Sequence, residues 1–303
     1  MSAPNRRAGF VAILGAPNVG KSTLVNRLTG TKVSIVSPKV QTTRSRVLGI
    51  RTIGDAQIAF VDTPGLFRPR RRLDRAMIAA AWGGAEEADV LALVVDSAHD
   101  PDKDDDTRAI VEKLAETGRK NVILVLNKID IADKPKLLAL ADRLHRSGVF
   151  SDVFMVSAQT GDGIDDLLAA FAKRVPEGPW LFPEDQVSDM PERMLAAEVV
   201  REQLYLQLHQ EVPYRATVET DQWRDMNDGG VRIEQTIYVE RDGQRAIVLG
   251  KGGARIKSIG QAARAELERI LERRVHLFLF VKVREKWEED PERYRAIGLD
   301  FDV

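Results

Sequence analysis

The segment GAPNVGKS, Gly15–Ser22, holds the residue types that bind phosphate groups. It follows the apolar run Phe10–Leu14 and opens a stretch with helical periodicity. Glycine at positions 15 and 20 permits positive φ angles, so the N–H groups of the loop can surround an anion. The Lys21 ammonium is expected to contact the β- and γ-phosphates, and the Ser22 hydroxyl to bind Mg²⁺. The segment predicts a nucleoside triphosphate site with Mg²⁺.

A second segment, VDTPG, ends another apolar run. Its aspartate is expected to bind Mg²⁺ through a water, and the N–H of its glycine to contact the γ-phosphate. The predicted phosphate contacts from the two segments are Gly15, Ala16, Pro17, Asn18, Val19, Gly20, Lys21, Ser22, Thr23, Asp62, Thr63, Pro64 and Gly65.

Two further segments predict which base is bound. NKID, Asn127–Asp130, follows a buried run, and the Asp130 carboxylate there can accept hydrogen bonds from guanine N1–H and the 2-amino group. Adenine lacks that pair of donors. Asn127 is expected at the other purine edge, and the Lys128 stem along the ring. In VSAQT, Ser157 and Ala158 complete the site, with the Ala158 N–H directed at guanine O6. The predicted substrate is GTP.

The elements that position these residues alternate along positions 9–175. Short apolar runs alternate with amphipathic stretches, which is typical of strands buried on both faces of a mostly parallel, doubly wound sheet. Gly54-Asp55 predicts one hairpin and an antiparallel edge. The strands are predicted at FVAIL, QIAFVD, VLALVVD, NVILVLN and VFMVS, with helices at Lys21–Leu28, Leu73–Glu86, Asp104–Thr117, Lys134–Arg146 and Gly163–Lys173.

The composition changes after residue 175, where four prolines fall within VPEGPWLFPEDQVSDMPER. We place the boundary after residue 180, which gives domains 1–180 and 181–303. The second domain is predicted as α+β, with the order helix, strand, strand, helix, helix, strand. Its first helix is expected at Met194–Gln210, and its last strand at VHLFLFVKV.

The second domain contains GKGG, Gly250–Gly253, between two helical stretches. This matches the GxxG turn with which KH domains hold a single-stranded nucleic-acid backbone, although a plain helix–turn–helix junction has the same pattern. Residues 241–286 contain twelve Lys or Arg against five Asp or Glu, whereas the whole chain has a net charge of −1. A local basic surface favours contact with phosphates. The predicted RNA-binding residues are Gly250, Lys251, Gly252, Gly253, Arg255 and Lys257.

The ordered nucleotide motifs resemble the Ras-like, translation-factor-like GTPases. That resemblance implies catalytic roles for Lys21, Thr43 and Gly65, and a Mg²⁺-binding threonine within QTTRSR, for which we choose Thr43 over Thr42. Members of the Ras type place a water-orienting glutamine where this chain has Leu66. In several GTPases with an apolar residue there, an asparagine of the phosphate loop holds K⁺. Asn18 matches that asparagine; a hydrogen bond that shapes the loop is the alternative.

One GTPase domain followed by one type II KH domain resembles the ribosome-assembly members of the TrmE-Era-EngA-like GTPases. The resemblance implies a cytoplasmic monomer that binds the 3′ end region of 16S rRNA and assists assembly of the 30S subunit. It leaves open a peripheral contact with the inner membrane.

Two alternatives stay open at this point. A protein that binds GTP and RNA without turnover fits the loss of glutamine at Leu66. RPRRR, Arg68–Arg72, is either a solvated charge run or a contact for RNA or a protein partner. The absence of cysteine excludes disulfides and thiolate chemistry.

Overall fold

The computed structural model describes residues 6–99, 104–119, 121–209, 211–285 and 287–303. These residues form two compact units. The first contains the described residues of Met1–Ser34, Thr43–Asp189 and Ile297–Val303; the second contains Ile35–Thr42 and those of Met190–Ala296. The predicted boundary after residue 180 stays a prediction, and in the structure the chain passes between the units at Asp189.

The first unit is built on a six-stranded sheet with the strand order β2-β3-β1-β4-β5-β6. Only β2 is antiparallel to its neighbour, because the hairpin at Gly54-Asp55 joins it to β3, as predicted. The strands are β1 (Arg7–Leu14), β2 (Val47–Ile53), β3 (Ala56–Asp62), β4 (Val90–Asp96), β5 (Val122–Asn127) and β6 (Asp152–Met155). The helices are α1 (Lys21–Thr29), α2 (Arg72–Glu87), α3 (Asp105–Thr117), α4 (Lys134–His145) and α5 (Ile164–Arg174).

The central strands are buried on both faces, which explains their nearly continuous apolar sequences. Every residue from Val122 to Leu126 is fully buried, and so are Leu93 and Val94. Because β1, β3, β4, β5 and β6 run in parallel, their carboxyl ends lie along one edge. The loops that follow these strands therefore meet there, which is where ligands bind in open α/β sheets.

The second unit has the predicted order of helix, two strands, two helices and strand. Its elements are α6 (Glu192–Gln207), β7 (Ala216–Asp225), β8 (Val231–Val239), α7 (Asp242–Leu249), α8 (Ala254–Leu271) and β9 (Val275–Val283). Strand β8 is central, antiparallel to β7 and parallel to β9. The buried face of the sheet packs against α6 and α8 through residues that include Val200, Ile233, Ile237 and Ile259.

The second unit differs from the sequence prediction at its first helix and near its C-terminal end. Helix α6 begins two residues earlier than Met194, because Pro191, whose fixed φ suits a helix start, stands directly before its first turn. The helix ends at Gln207. Strand β7 contains a bulge between Thr220 and Gln222. A last helix, α9 (Pro291–Ala296), was not predicted. None of the helices in the described ranges has the length and hydrophobicity needed to cross a bilayer.

Candidate functional site

The phosphate loop lies between β1 and α1 and depends on three positive φ angles. Gly15 has a φ of 149°, Asn18 of 63° and Gly20 of 97°. A Cβ atom on Gly15 would lie 2.4 Å from the Val94 carbonyl oxygen, and one on Gly20 would lie 2.4 Å from the Asn127 side-chain nitrogen. Larger residues are therefore excluded at both glycines by contact as well as by conformation. Ala16 and Val19 are buried, while Asn18 is exposed.

The Lys21 side chain lies inside this loop. It is 6% exposed, and its Nζ donates hydrogen bonds to the carbonyl oxygens of Gly15 at 3.1 Å and Ala16 at 2.8 Å. Burial lowers the pKa of Lys21 to about 8, although the nearby Asp62 carboxylate acts in the opposite direction. A buried ammonium in a ring of backbone groups is suited to an anionic ligand, which would restore the lost solvation.

Three oxygen ligands for Mg²⁺ lie together beside Lys21. The Ser22 hydroxyl is 2.9 Å from the Thr43 hydroxyl, which is 3.3 Å from Asp62 Oδ2. Asp62 is fully buried, and this burial raises the pKa of its carboxyl. Its Oδ1 atom has no hydrogen-bond partner among the described residues. A hard cation binds such oxygens, so the donor set fits Mg²⁺.

The structure separates the two candidate threonines. Thr43 is the one beside Ser22 and Asp62, whereas the Thr42 hydroxyl bonds with Ser37 and the Lys39 carbonyl within the second unit. Sequence spacing does not resolve this choice.

The DTPG segment lies against the phosphate loop. The Thr63 hydroxyl donates to the Ile13 carbonyl at 2.6 Å, and a Cβ on Gly65 would be 3.1 Å from Pro17. The Leu66 N–H donates to the Gly15 carbonyl at 3.0 Å, and its side chain is buried. Pro64 is buried in the same segment, and Thr23 lies half-buried in the first turn of α1. Leu66 thus occupies a structural position and carries no group that can orient water.

Asn127 joins the loops that were predicted to bind phosphate and guanine. Its Nδ2 donates to the Val19 carbonyl at 2.9 Å, and its Oδ1 accepts from the Ala158 N–H at 2.9 Å. The contact of this N–H with guanine O6 stays a prediction, and in this structure the N–H donates to Asn127. One amide hydrogen of Asn127 is left for a purine. Ser157 is fully buried, and its hydroxyl accepts from the Thr160 N–H.

Lys128 and Asp130 take different roles in the next turn. Lys128 has a φ of 68°, and its Nζ bonds to the Asn18 carbonyl at 2.8 Å and to Asp96 at 2.6 Å. This lays its stem beside the phosphate loop. Asp130 is exposed and makes no hydrogen bond or ion pair with residues in the described ranges. Its carboxylate is available to a ligand.

Two residues of the site were missed in the sequence. Asp96, the last residue of β4, anchors Lys128, and its place at the carboxyl end of an apolar strand was the available signal. Arg27 donates to the carbonyls of Ala158 at 3.1 Å and Gln159 at 2.6 Å, which holds the guanine loop against α1. No sequence motif marks Arg27, because the contact joins residues far apart in the chain.

The GKGG turn of the second unit connects α7 to α8. Its three glycines all have positive φ angles, and a Cβ on Gly252 or Gly253 would meet nothing within 4 Å. Lys251 and Lys257 are exposed. The turn therefore presents open backbone and positive charge to solvent. Of the basic residues counted in this region, Lys286 lies outside the described residues.

Several side chains near the turn make contacts within the second unit. Arg255 is exposed, but its guanidinium donates to the Gln207 carbonyl at 2.8 Å, so part of its donor capacity is used within the unit. Val248 and Ile259, which flank the turn, are fully buried in the core. Ile247 is the apolar residue beside the turn that is exposed.

Comparisons with known proteins show the family to which the chain belongs. Residues 10–128 match the family described as 50S ribosome-binding GTPase, and residues 211–288 match the KH domain family. GTPase Era of Brucella suis biovar 1 (strain 1330) is 57% identical over 299 residues, which cover 99% of this chain and 95% of that protein. The chain belongs to the Era family of GTPases. GTPase Era of Afipia carboxidovorans (strain ATCC 49405 / DSM 1227 / KCTC 32145 / OM5) is 58% identical over 295 residues, covering 97% and 95%.

A solved structure of a point variant of Aquifex aeolicus Era bound to GDP·AlF₄⁻ matches with a TM-score of 0.91 and 40% identity, covering 98% of this chain and 100% of that one. A structure of Era with MgGDPNP and nucleotides 1506–1542 of 16S ribosomal RNA matches with the same values. The predicted fold class and family are confirmed. Membership in the Era family identifies the chain as a GTPase, and the alternative without turnover is not supported.

The buried Lys21 predicts a pH dependence in the nucleotide-free protein. Its pKa of about 8 lies below the ordinary value of 10.5, so the unfolded chain binds more protons between these values and stability rises with pH across that window. We expect Lys21→Met to remove this rise. The measurement is urea unfolding of both proteins at pH 7 and pH 10. Equal pH dependence in the two proteins would contradict the burial of a charged Lys21.

The exposed Asp130 carboxylate predicts the base preference. Asp130→Asn should weaken GTP binding and favour xanthosine triphosphate, since the amide can donate to the oxygen at position 2. Loss of a hydrogen bond to a charged group should cost about 1.5–3 kcal/mol. Titrations with GTP, ATP and xanthosine triphosphate measure this, with Asp133→Asn as the matched control. Equal affinity of the unaltered protein for ATP and GTP would refute the assignment.

Proposed function

We propose that this GTPase is a switch that binds single-stranded RNA at the 3′ end region of 16S rRNA and assists assembly and maturation of the 30S subunit. The observation that carries the proposal is the exposed GKGG turn, with its open glycine backbone and Lys251, in the same chain as the nucleotide site. Era with a bound 16S rRNA segment, similar over 98% of this chain, supports it.

Each of the two predicted domains has one of the two activities. Residues 1–180 bind and hydrolyse GTP, and residues 181–303 bind RNA. Gly250, Gly252 and Gly253 admit the RNA backbone, while Lys251, Arg255 and Lys257 contact phosphates. The protein works in the cytoplasm as a monomer and contacts the inner membrane peripherally.

In the nucleotide site, Ser22 and Thr43 bind Mg²⁺ directly and Asp62 binds it through a water. When bound there, the ion would neutralise charge that develops during phosphoryl transfer. Lys21 donates to the β- and γ-phosphates, and the Gly65 N–H holds the γ-phosphate. The loop residues 15–23, with Thr63 and Pro64, enclose the phosphates, while Asn127, Lys128, Asp130, Ser157 and Ala158 hold the guanine. Catalysis by these residues is positioning and charge stabilisation.

Asn18 is proposed to hold K⁺ beside the phosphates. Its side chain is exposed at the loop, and Leu66 provides no polar group for the attacking water. A cation at Asn18 would supply positive charge to the transition state. The backbone oxygen of Asn18 already accepts from Lys128, so the side-chain amide oxygen is the proposed ligand.

The K⁺ proposal predicts faster GTP hydrolysis in KCl than in NaCl at equal ionic strength. Asn18→Ala should bring the ratio of the two rates close to one, because the amide ligand is lost. Asn18→Gly should do the same while tolerating the φ of 63°, which separates ligand loss from backbone strain. Single-turnover hydrolysis measures the ratio. A ratio unchanged in both variants would exclude Asn18 as the ligand.

The RNA-binding proposal predicts a steep loss of RNA affinity in the variant Lys251→Asp with Gly252→Asp. The substitutions place negative charge and side chains where phosphates are proposed to lie. Binding should also depend less on salt, since fewer counterions are released. Fluorescence anisotropy with a single strand and a matched duplex, over a salt series, measures both effects.

The control for the turn variant is Lys136→Asp, which makes the same lysine-to-aspartate substitution at an exposed residue of α4. GTP affinity should stay unchanged in all these proteins. If the turn variant binds the single strand as tightly as the unaltered protein, the turn is only a junction between helices and the RNA-binding proposal is wrong.

A further inference from the structure

The three-stranded sheet of the second unit has one face that α6, α7 and α8 do not cover. Helices α6, α7 and α8 pack on the inner face, where Ile233 and Ile237 of β8 are fully buried. Side chains alternate along a strand, so the intervening residues belong to the outer face. On β8 and β9 these outer residues are Arg232, Glu234, Thr236, Tyr238, His276, Phe278, Phe280 and Lys282.

The C-terminal end of the second unit covers one half of this outer face. The guanidinium of Arg293, in α9, stacks over the Tyr238 ring at 4.3 Å and forms an ion pair with Glu219 on β7. Thr236, between these residues, is fully buried. The chain therefore shields the polar part of the outer face with its own residues.

The other half is open and aromatic. Phe278 is 40% exposed and Phe280 is 48% exposed, at alternate positions of the edge strand β9. The Arg232 guanidinium lies 4.3 Å from the centre of the Phe278 ring and is fixed by hydrogen bonds to Glu234 at 2.9 and 2.7 Å. Exposed Lys282 follows on the same side of β9. We call these four residues, Arg232, Phe278, Phe280 and Lys282, the aromatic strip.

The spacing and charge of the aromatic strip match a single nucleic-acid strand. Alternate residues of a strand are about 6.6 Å apart, which is close to twice the roughly 3.4 Å rise between stacked bases. Exposed aromatic rings stack on bases of any sequence, and the flanking cations suit the phosphates. Among the outer residues of β8 and β9, Arg232 and Lys282 are basic and Glu234 is acidic, which leaves a net positive charge that favours an anionic polymer.

We propose that the aromatic strip is a second binding surface for single-stranded RNA, on which consecutive bases stack after the strand leaves the GKGG turn. The inference rests on the proposed RNA-binding function and extends the bound segment beyond the turn. The turn lies between helices on the inner face, whereas Phe278 and Phe280 lie on the outer face of the edge strand. A strand bound at both places passes around the edge of β9.

The experiment compares single-stranded fragments of 16S rRNA nucleotides 1506–1542 that are shortened in steps, each bound to the full chain. We expect Phe278→Ala with Phe280→Ala to weaken binding of the longer fragments by about tenfold for each ring, because loss of one base-stacking aromatic has an effect of this order. The shortest fragment that still binds should be unaffected, since a KH turn holds only about four nucleotides.

Matched variants separate stacking from apolar contact. Replacing both rings with tyrosine should retain the affinity for long fragments, whereas leucine at both positions should lose it, because leucine is apolar but has no flat face. A 2-aminopurine base in the long fragment should be quenched by the unaltered protein and less by the alanine variant. Circular dichroism and GTP affinity check that the variants fold.

The outcomes distinguish this inference from the function on which it rests. If the turn variant loses RNA binding but the alanine variant binds long fragments normally, the aromatic strip is not an RNA surface and the proposed function stands. If the unaltered protein binds no fragment, both fail. Sedimentation that shows self-association of the unaltered protein, abolished by the alanine variant, would assign the strip to a second copy and overturn the inference.

Discussion

Opposite charges buried at one edge of a parallel sheet set the requirements for the nucleotide site. Lys21 and Asp62 are both buried away from water. Burial lowers the pKa of Lys21 and raises the pKa of Asp62, so it favours the neutral form of each group. Their mutual attraction opposes the shift only in part. An anion beside the ammonium and a cation beside the carboxylate would each restore the charged form, so a nucleoside triphosphate with Mg²⁺ satisfies both.

The backbone conformation of the phosphate loop and the Asn127 side chain shape the site around Lys21 and Asp62. Positive φ angles at Gly15, Asn18 and Gly20 turn the loop, and the Asn127 side chain ties it to the loop of Ala158. One amide thus links the phosphate-binding and base-binding parts through two hydrogen bonds of 2.9 Å. Because Asn127 is almost completely buried, its removal would leave the Val19 carbonyl and Ala158 N–H without these partners, which is costly in a buried site.

The second unit combines an apolar core with an exposed glycine turn and a partly exposed sheet face. Its inner sheet face and helices form an apolar core, and its glycine turn is open backbone with positive charge nearby. The C-terminal residues shield Tyr238 and Thr236, yet leave Phe278 and Phe280 in solvent. Exposing two aromatic rings on an edge strand gives up favourable burial. Contact with stacked bases would provide that burial when RNA is bound.

The sequence by itself determined the element order, the antiparallel hairpin at Gly54-Asp55 and the residues at the carboxyl edge of the first sheet, because glycine conformations and strand patterns are local properties. It also provided the motifs that placed the chain among GTPases with a KH domain. Only the tertiary structure decided that Thr43 rather than Thr42 lies beside Ser22, that Ala158 donates to Asn127, and that Arg27 and Asp96 support the site. It likewise decided that Val248 and Ile259 are core residues and that Phe278 and Phe280 face solvent. These outcomes depend on which distant segments pack together, and no local sequence pattern encodes such contacts.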